Sequence, residues 1–187
     1  QDALWLEMDR PANLMVVDTV VWTVTPIGWD RLRAVARHRL WDRYPAFRSV
    51  AVRGDDGAWY WEEPPGVDFQ DHVSEVTLPE PGDDAALQDF IGSQRTVPLD
   101  RDKPLWHLFC IDGFRGGSAI VTRTHHAIAD GIRIVQLAMS LFDATPRGGN
   151  IPAPSVHLHA EQGTAPDEPD ADPLTALDGL LKFVYLD

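Results

Sequence analysis

Seven consecutive residues, His125-His126-Ala127-Ile128-Ala129-Asp130-Gly131, bring two imidazoles, a carboxylate and a glycine together where an apolar strand gives way to an apolar helix. An imidazole has an unperturbed pKa of ~6.5, so it suits proton uptake at neutral pH. The strand is announced by Ala119, Ile120 and Val121, and the helix by Ile134, Val135, Leu137, Ala138, Leu141 and Phe142 at helical spacing. A histidine at such a join is held by a rigid element and still faces a cleft.

The elements that must position this segment follow from the preceding residues. Asp2 to Met8 suits a short helix stopped near Pro11, and Met15 to Val24 reads as a buried strand with Asp18 as its one charge. Trp29 to Arg43 sets Leu32, Val35, Ala36 and Leu40 on one helical face, ahead of Pro45. Gly54-Asp55-Asp56-Gly57 separates two short runs as a hairpin turn would. Phe69 to Leu78 reads as extended. From Asp83, a plausible cap, a helix is predicted with Leu87, Phe90, Ile91 and Val97 facing inward. Leu105 to Asp112 and Ser118 to Thr124 form two more strands around Gly113 to Gly117. The expected fold class is α+β, with one layer of helices on a mixed, mostly antiparallel sheet.

The rest of the composition narrows the function. The chain has 187 residues, 44% of them apolar, enough for a real core. Its 29 acids against 16 bases give a net charge of −13, which argues against a nucleic-acid partner. Cys110, the sole cysteine, lies in an apolar run and reads as buried packing in a reducing compartment. No window approaches ~18 uninterrupted apolar residues, and no basic leader opens the chain, so a cytoplasmic location is expected. The lack of an initiator methionine suggests that a few residues are missing from the front. Residues 1–145 read as the compact domain, 146–173 as a proline-rich linker or mobile loop, and 174–187 as the start of a connecting helix.

The central segment has the HHxxxDG form of acyltransferases built like chloramphenicol acetyltransferase. Around it, Val97-Pro98-Leu99-Asp100-Arg101-Asp102-Lys103-Pro104-Leu105-Trp106 resembles the Pro-Leu-Trp segment of bacterial wax ester synthase/diacylglycerol acyltransferases. The hairpin Ile111 to Gly117, His72-Val73, Leu78 to Gly82 and the opening Asp2 to Glu7 are similar to that family at the same spacing. The likeness covers residues 1–145. Two departures stand out. His107 follows Trp106 where relatives usually carry an acid, and the second half of the family, with its Asn-Asp motif, is absent. The chain therefore resembles an N-terminal half-domain whose helix at 174–187 leads toward a C-terminal half.

The resemblance implies that His126 is the catalytic base, taking a proton from a long-chain alcohol or diacylglycerol that attacks acyl-CoA. Acyl-CoA is then a substrate, and no cofactor or metal is required. His125, on the opposite face of an extended segment, is expected to support or to be structural. Asp130 would either orient His126 or, as its counterparts more often do, pair with an arginine, Arg123 being one nearby candidate. Gly131 would admit the pantetheine arm or permit the turn before the helix. Pro104, Leu105 and Trp106 read as packing. A metal site on His126 and Asp130 lacks further ligands; His157 and His159 in the proline-rich tract read as solvated. Two other functions fit the residues: a condensation-type acyltransferase fed by a carrier protein, and a non-catalytic half that binds a lipid surface or partner. Peripheral association with membranes or lipid inclusions is compatible with all three.

Overall fold

A computed structural model describes residues 2–145; the expected linker at 146–173, the helix at 174–187, and His157 and His159 lie outside the described residues. Helix α1 (Asp2–Met8) precedes strand β1 (Val16–Thr23) and helix α2 (Trp29–Ala36). The β2–β3 hairpin (Val50–Arg53, Trp59–Glu62) forms a separate two-stranded sheet. Strand β4 (Val73–Thr77), helix α3 (Asp84–Arg95), strands β5 (Trp106–Phe114) and β6 (Gly117–His125), and helix α4 (Gly131–Met139) complete the described order.

The main sheet runs β1-β6-β5-β4, with β4 parallel to β5 and the other pairs antiparallel. The mixed, mostly antiparallel α+β architecture is thus as expected. Its layering is not: helices cover both faces. Trp106, Leu108, Cys110 and Ile120 pack with Leu32 and Ala36 of α2 and Ile134 and Leu137 of α4. The alternate residues Phe109, Ile111, Ala119 and Val121 pack with Leu87 and Ile91 of α3. The period-2 alternation of β5 and β6 sends successive side chains to opposite faces, and both faces are apolar, so two layers are needed. All nine residues of β6 are buried. Fully burying each large apolar side chain contributes ~1.5–3 kcal/mol.

Several boundaries shift for local reasons. The helix of residues 29–43 ends in a π-helical turn, Arg37–Trp41, and Pro45 then opens a 3₁₀ turn. Phe69–His72 is 3₁₀ before the chain extends. Strand β1 is an edge strand and mostly half-buried, where a buried one was expected. Asp83 caps α3 through the Ala86 amide as predicted, but Val97 is exposed because the helix has already ended at Thr96. Cys110 is buried. No helix among the described residues is long and apolar enough to cross a membrane.

Candidate active site

His126 sits one residue beyond the end of β6, and its backbone is held by the residue just before the edge strand β1: its N–H donates to the Met15 carbonyl at 2.8 Å. Its ring stacks on Trp5 of α1, with centroids 4.6 Å apart and planes 23° apart. The ring is half-buried, and Nδ1 is fully covered yet bonds nothing among the described residues. Nε2 is the nitrogen left to receive a ligand. Burial lowers the pKa of the ring below its ordinary value, and Asp130 counters only in part. A neutral imidazole with an open nitrogen can accept a proton, and burial of the charged form makes its conjugate acid readier to return one.

His125 points elsewhere, as the alternation of an extended chain requires. It is 1% exposed, and its Nδ1 accepts the Ala127 N–H at 3.0 Å, which places the ring proton on Nε2. That Nε2 faces Asp9 Oδ2 at 3.7 Å, too far for a hydrogen bond. Burial pushes the ring down to about 4, against the pull of Asp9. His125 is therefore neutral and holds the backbone turn that carries His126.

Asp9 is the hub behind both histidines. Its Oδ1 accepts the Met15 N–H at 2.8 Å and its Oδ2 accepts Arg101 Nη2 at 2.8 Å. Burial opposes ionisation here, but the Met15 amide and the Arg101 guanidinium together hold the carboxyl below its usual range. Arg101 also donates to the Leu6 carbonyl at 2.9 Å, so one guanidinium ties α1 to the loop before β5.

Asp130 corrects the expectation made of it. It neither pairs with Arg123 nor orients His126 by a hydrogen bond; it caps α4, accepting the Arg133 N–H at 2.9 Å. A helix start requires an acceptor for its orphan amides, and an aspartate at that position supplies one. Arg123 is instead taken by Asp18 at 3.1 Å and by the Val97 carbonyl at 2.9 Å. Antiparallel register puts Asp18 directly opposite Arg123, which brings them together across 105 residues. Gly131 corrects a second expectation. Its φ is outside the left-handed region, and a Cβ there would meet nothing within 4 Å, so the turn does not require glycine.

Pro104, Leu105 and Trp106 are all buried. Leu105 is wholly buried, and Trp106 donates from Nε1 to the Phe47 carbonyl at 2.8 Å while stacking on His72. His107, standing where an acid was expected by resemblance, lies opposite Arg123 and reaches Ser74 Oγ from Nε2 at 2.9 Å. Burial, with His72 and Arg123 nearby, pushes it down to about 4. No group of three or more histidine, cysteine or acidic side chains among the described residues could hold a metal.

Sequence reasoning gave Trp5, Asp9 and Arg101 no role. Nothing local marks them: the Arg101–Asp9 contact spans 92 residues and exists only once α1 has docked.

The chain matches the wax ester synthase/diacylglycerol acyltransferase catalytic domain over residues 1–185. An inferred diacylglycerol O-acyltransferase of Mycobacterium tuberculosis strain CDC 1551 is 36% identical over 162 residues, 82% of this chain and 34% of the relative. The chain thus spans about a third of the length of the curated relatives it matches. Among solved structures, the wax ester synthase/diacylglycerol acyltransferase of Marinobacter aquaeolei VT8 superposes with a TM-score of 0.65 at 23% identity, covering 78% of this chain and 38% of that one. A variant starter condensation domain of rhizomide synthetase, in complex with C8-CoA, gives 0.61 at 18% identity, covering 74% and 32%. At such identities the structural likeness establishes the fold, chloramphenicol acetyltransferase-like, as expected. The sequence match establishes more: this chain belongs to the wax ester synthase/diacylglycerol acyltransferase catalytic-domain family.

Proposed function

We propose that the protein is an acyl-CoA-dependent O-acyltransferase that esterifies diacylglycerol or a long-chain alcohol to triacylglycerol or wax ester, with His126 as general base. The observation that carries this reading is the state of the His126 ring. His72 and His107 each commit a ring nitrogen to the fold, and so does His125, whereas neither nitrogen of His126 bonds anything among the described residues.

In the proposed reaction Nε2 of His126 takes the proton of the acceptor hydroxyl as its oxygen attacks the thioester carbonyl. The tetrahedral adduct collapses with cleavage of the C–S bond. The departing thiolate then takes the proton from the imidazolium, giving ester and free CoA with no net change at the enzyme. A hydroxyl is a weak nucleophile at neutral pH, so a positioned base is worth ~10²–10⁴-fold. Gly131 supports the same reading, because the fold does not need glycine there and the bare backbone leaves room for a ligand.

The cleft is completed, on this reading, by a C-terminal half of the same protein. Leu4 and Met8, beside Trp5 on α1, and Ile132, just after the motif, are 55%, 43% and 70% exposed, the kind of apolar surface a second half would cover. A water-insoluble acceptor also makes peripheral attachment to a membrane or lipid inclusion part of the proposal.

The test is labelled palmitoyl-CoA with hexadecanol or dioleoylglycerol, using the full-length protein and its His126→Ala variant. A loss of ~10²-fold or more is expected. Retained turnover would remove the base assignment, and transfer from carrier-bound acyl groups alone would move the protein to the condensation type.

A further inference from the structure

The presentation of His126 depends on a helix that is not part of the motif. Helix α1 supplies Trp5, whose ring covers one face of the imidazole. The C-terminal end of α1 is anchored to the rest of the domain by Arg101, which reaches both the Leu6 carbonyl and Asp9. Asp9 in turn holds the Met15 amide, and the Met15 carbonyl receives the His126 N–H. A continuous path thus runs from one guanidinium to both supports of the imidazole, its backbone and its stacking partner.

We propose that Arg101 is a positioning residue which, through Asp9 and the C-terminal end of α1, keeps the Trp5 ring on His126 and so fixes Nε2 as the nitrogen that meets substrate. Two observations carry this. One nitrogen of the Arg101 guanidinium serves two acceptors at the C-terminal end of α1, the Leu6 carbonyl and the Asp9 carboxylate just after it. The His126 Nδ1 is covered and unpaired, so no hydrogen bond of its own orients the ring and the stacking contact must do so.

The inference rests on the reading of His126 as the base, and the experiment separates the two. Arg101→Gln, Trp5→Ala and the double variant would be prepared in the full-length protein, with Trp5→Phe as the variant that keeps a stacking ring. Palmitoyl-CoA and hexadecanol serve as probes, and the His126 imidazole is titrated by NMR. Arg101→Gln and Trp5→Ala should each lower kcat by ~10–100-fold, the scale of a misplaced catalytic group, with KM little changed. Removing the ring re-exposes the imidazole, so its pKa should rise toward the ordinary value and the acidic limb of the rate profile should follow it. Trp5→Phe should restore most of the rate. The double variant should lose far less than the product of the two single losses, because the arginine acts in large part through the ring.

Losses that multiply in the double variant would overturn the proposal, as would an unmoved His126 titration in Arg101→Gln. If the titration moves as expected while His126→Ala keeps its turnover, positioning stands and the base assignment falls. If His126→Ala is inactive but the Arg101 and Trp5 variants behave like wild type, the reverse holds.

Discussion

Around His107 the sheet gathers Arg123, Asp18 and Ser74; around His126 the N-terminal helix gathers His125, Asp9 and Arg101. Both regions contain histidine, arginine and carboxylate, and burial lowers the histidine pKa values in both. They differ in completeness. In the first, Arg123 has a carboxylate and a carbonyl, and His107 has a hydroxyl. In the second, the His125 Nε2 stops 3.7 Å short of Asp9 and the His126 Nδ1 has no partner. Buried polar atoms are ordinarily satisfied, so two unpaired ones mark a region that the described residues leave incomplete. The comparison separates a polar cluster whose bonds close within the sheet from one that the described residues do not close.

The largest effect that would sharpen this contrast is Arg123→Met. Arg123 is 3% exposed, and removing it strands Asp18, whose carboxyl burial already pushes above its ordinary pKa. Breaking a buried pair from one side costs ~3–5 kcal/mol, to be read by urea denaturation. A loss below ~1 kcal/mol, the scale of an exposed pair, would show that the first cluster is not what braces the sheet.

Taken ring by ring, acid stability gives the next largest effect. His107 and His125 titrate near 4 in the folded chain, against ~6.5 unfolded. Above ~6.5 both are neutral in either state and contribute no pH dependence. As the pH falls from ~6.5 toward 4, the unfolded chain binds protons that the folded chain refuses, so stability should drop, by at most ~1.4 kcal/mol per pH unit for each ring, and level off below. The slope should fall in His107→Gln. An unchanged slope in that variant would mean that His107 is charged in the fold.

Asp130→Ala is the smallest of the three. Loss of the α4 cap should cost ~1 kcal/mol in thermal or chemical denaturation, with Asp130→Asn close to wild type. A loss of several kcal/mol would point to the ion-pair role that the structure gives to Asp18 instead.

Much of the fold was legible because its signals are local. The Asp83 cap, the strand pair around Gly113 to Gly117 and the strand-to-helix join at His125 to Gly131 each lie within a few residues of the chain. The alternation of the two histidines was legible for the same reason, as was the packing role of Trp106. What was missed depends on register and docking. Asp18 and Arg123 are each a lone charge in an apolar strand, which is a signal, but only the β1–β6 register pairs them. Arg101 was read within the Pro-Leu-Trp segment, yet its partners lie on α1 and just after it. The second layer of helices was missed because α3 was read as amphipathic without a sheet face being assigned to it.

The most direct test follows one nitrogen. The pH dependence of kcat/KM for palmitoyl-CoA transfer would be measured beside an NMR titration of the His126 imidazole in the same protein. A single ionisation below ~6.5 is expected in both, at the same pH, since burial depresses the ring and its neutral form is the reactive one. A rate that is flat across the pH range in which the His126 ring changes its protonation would contradict the assignment.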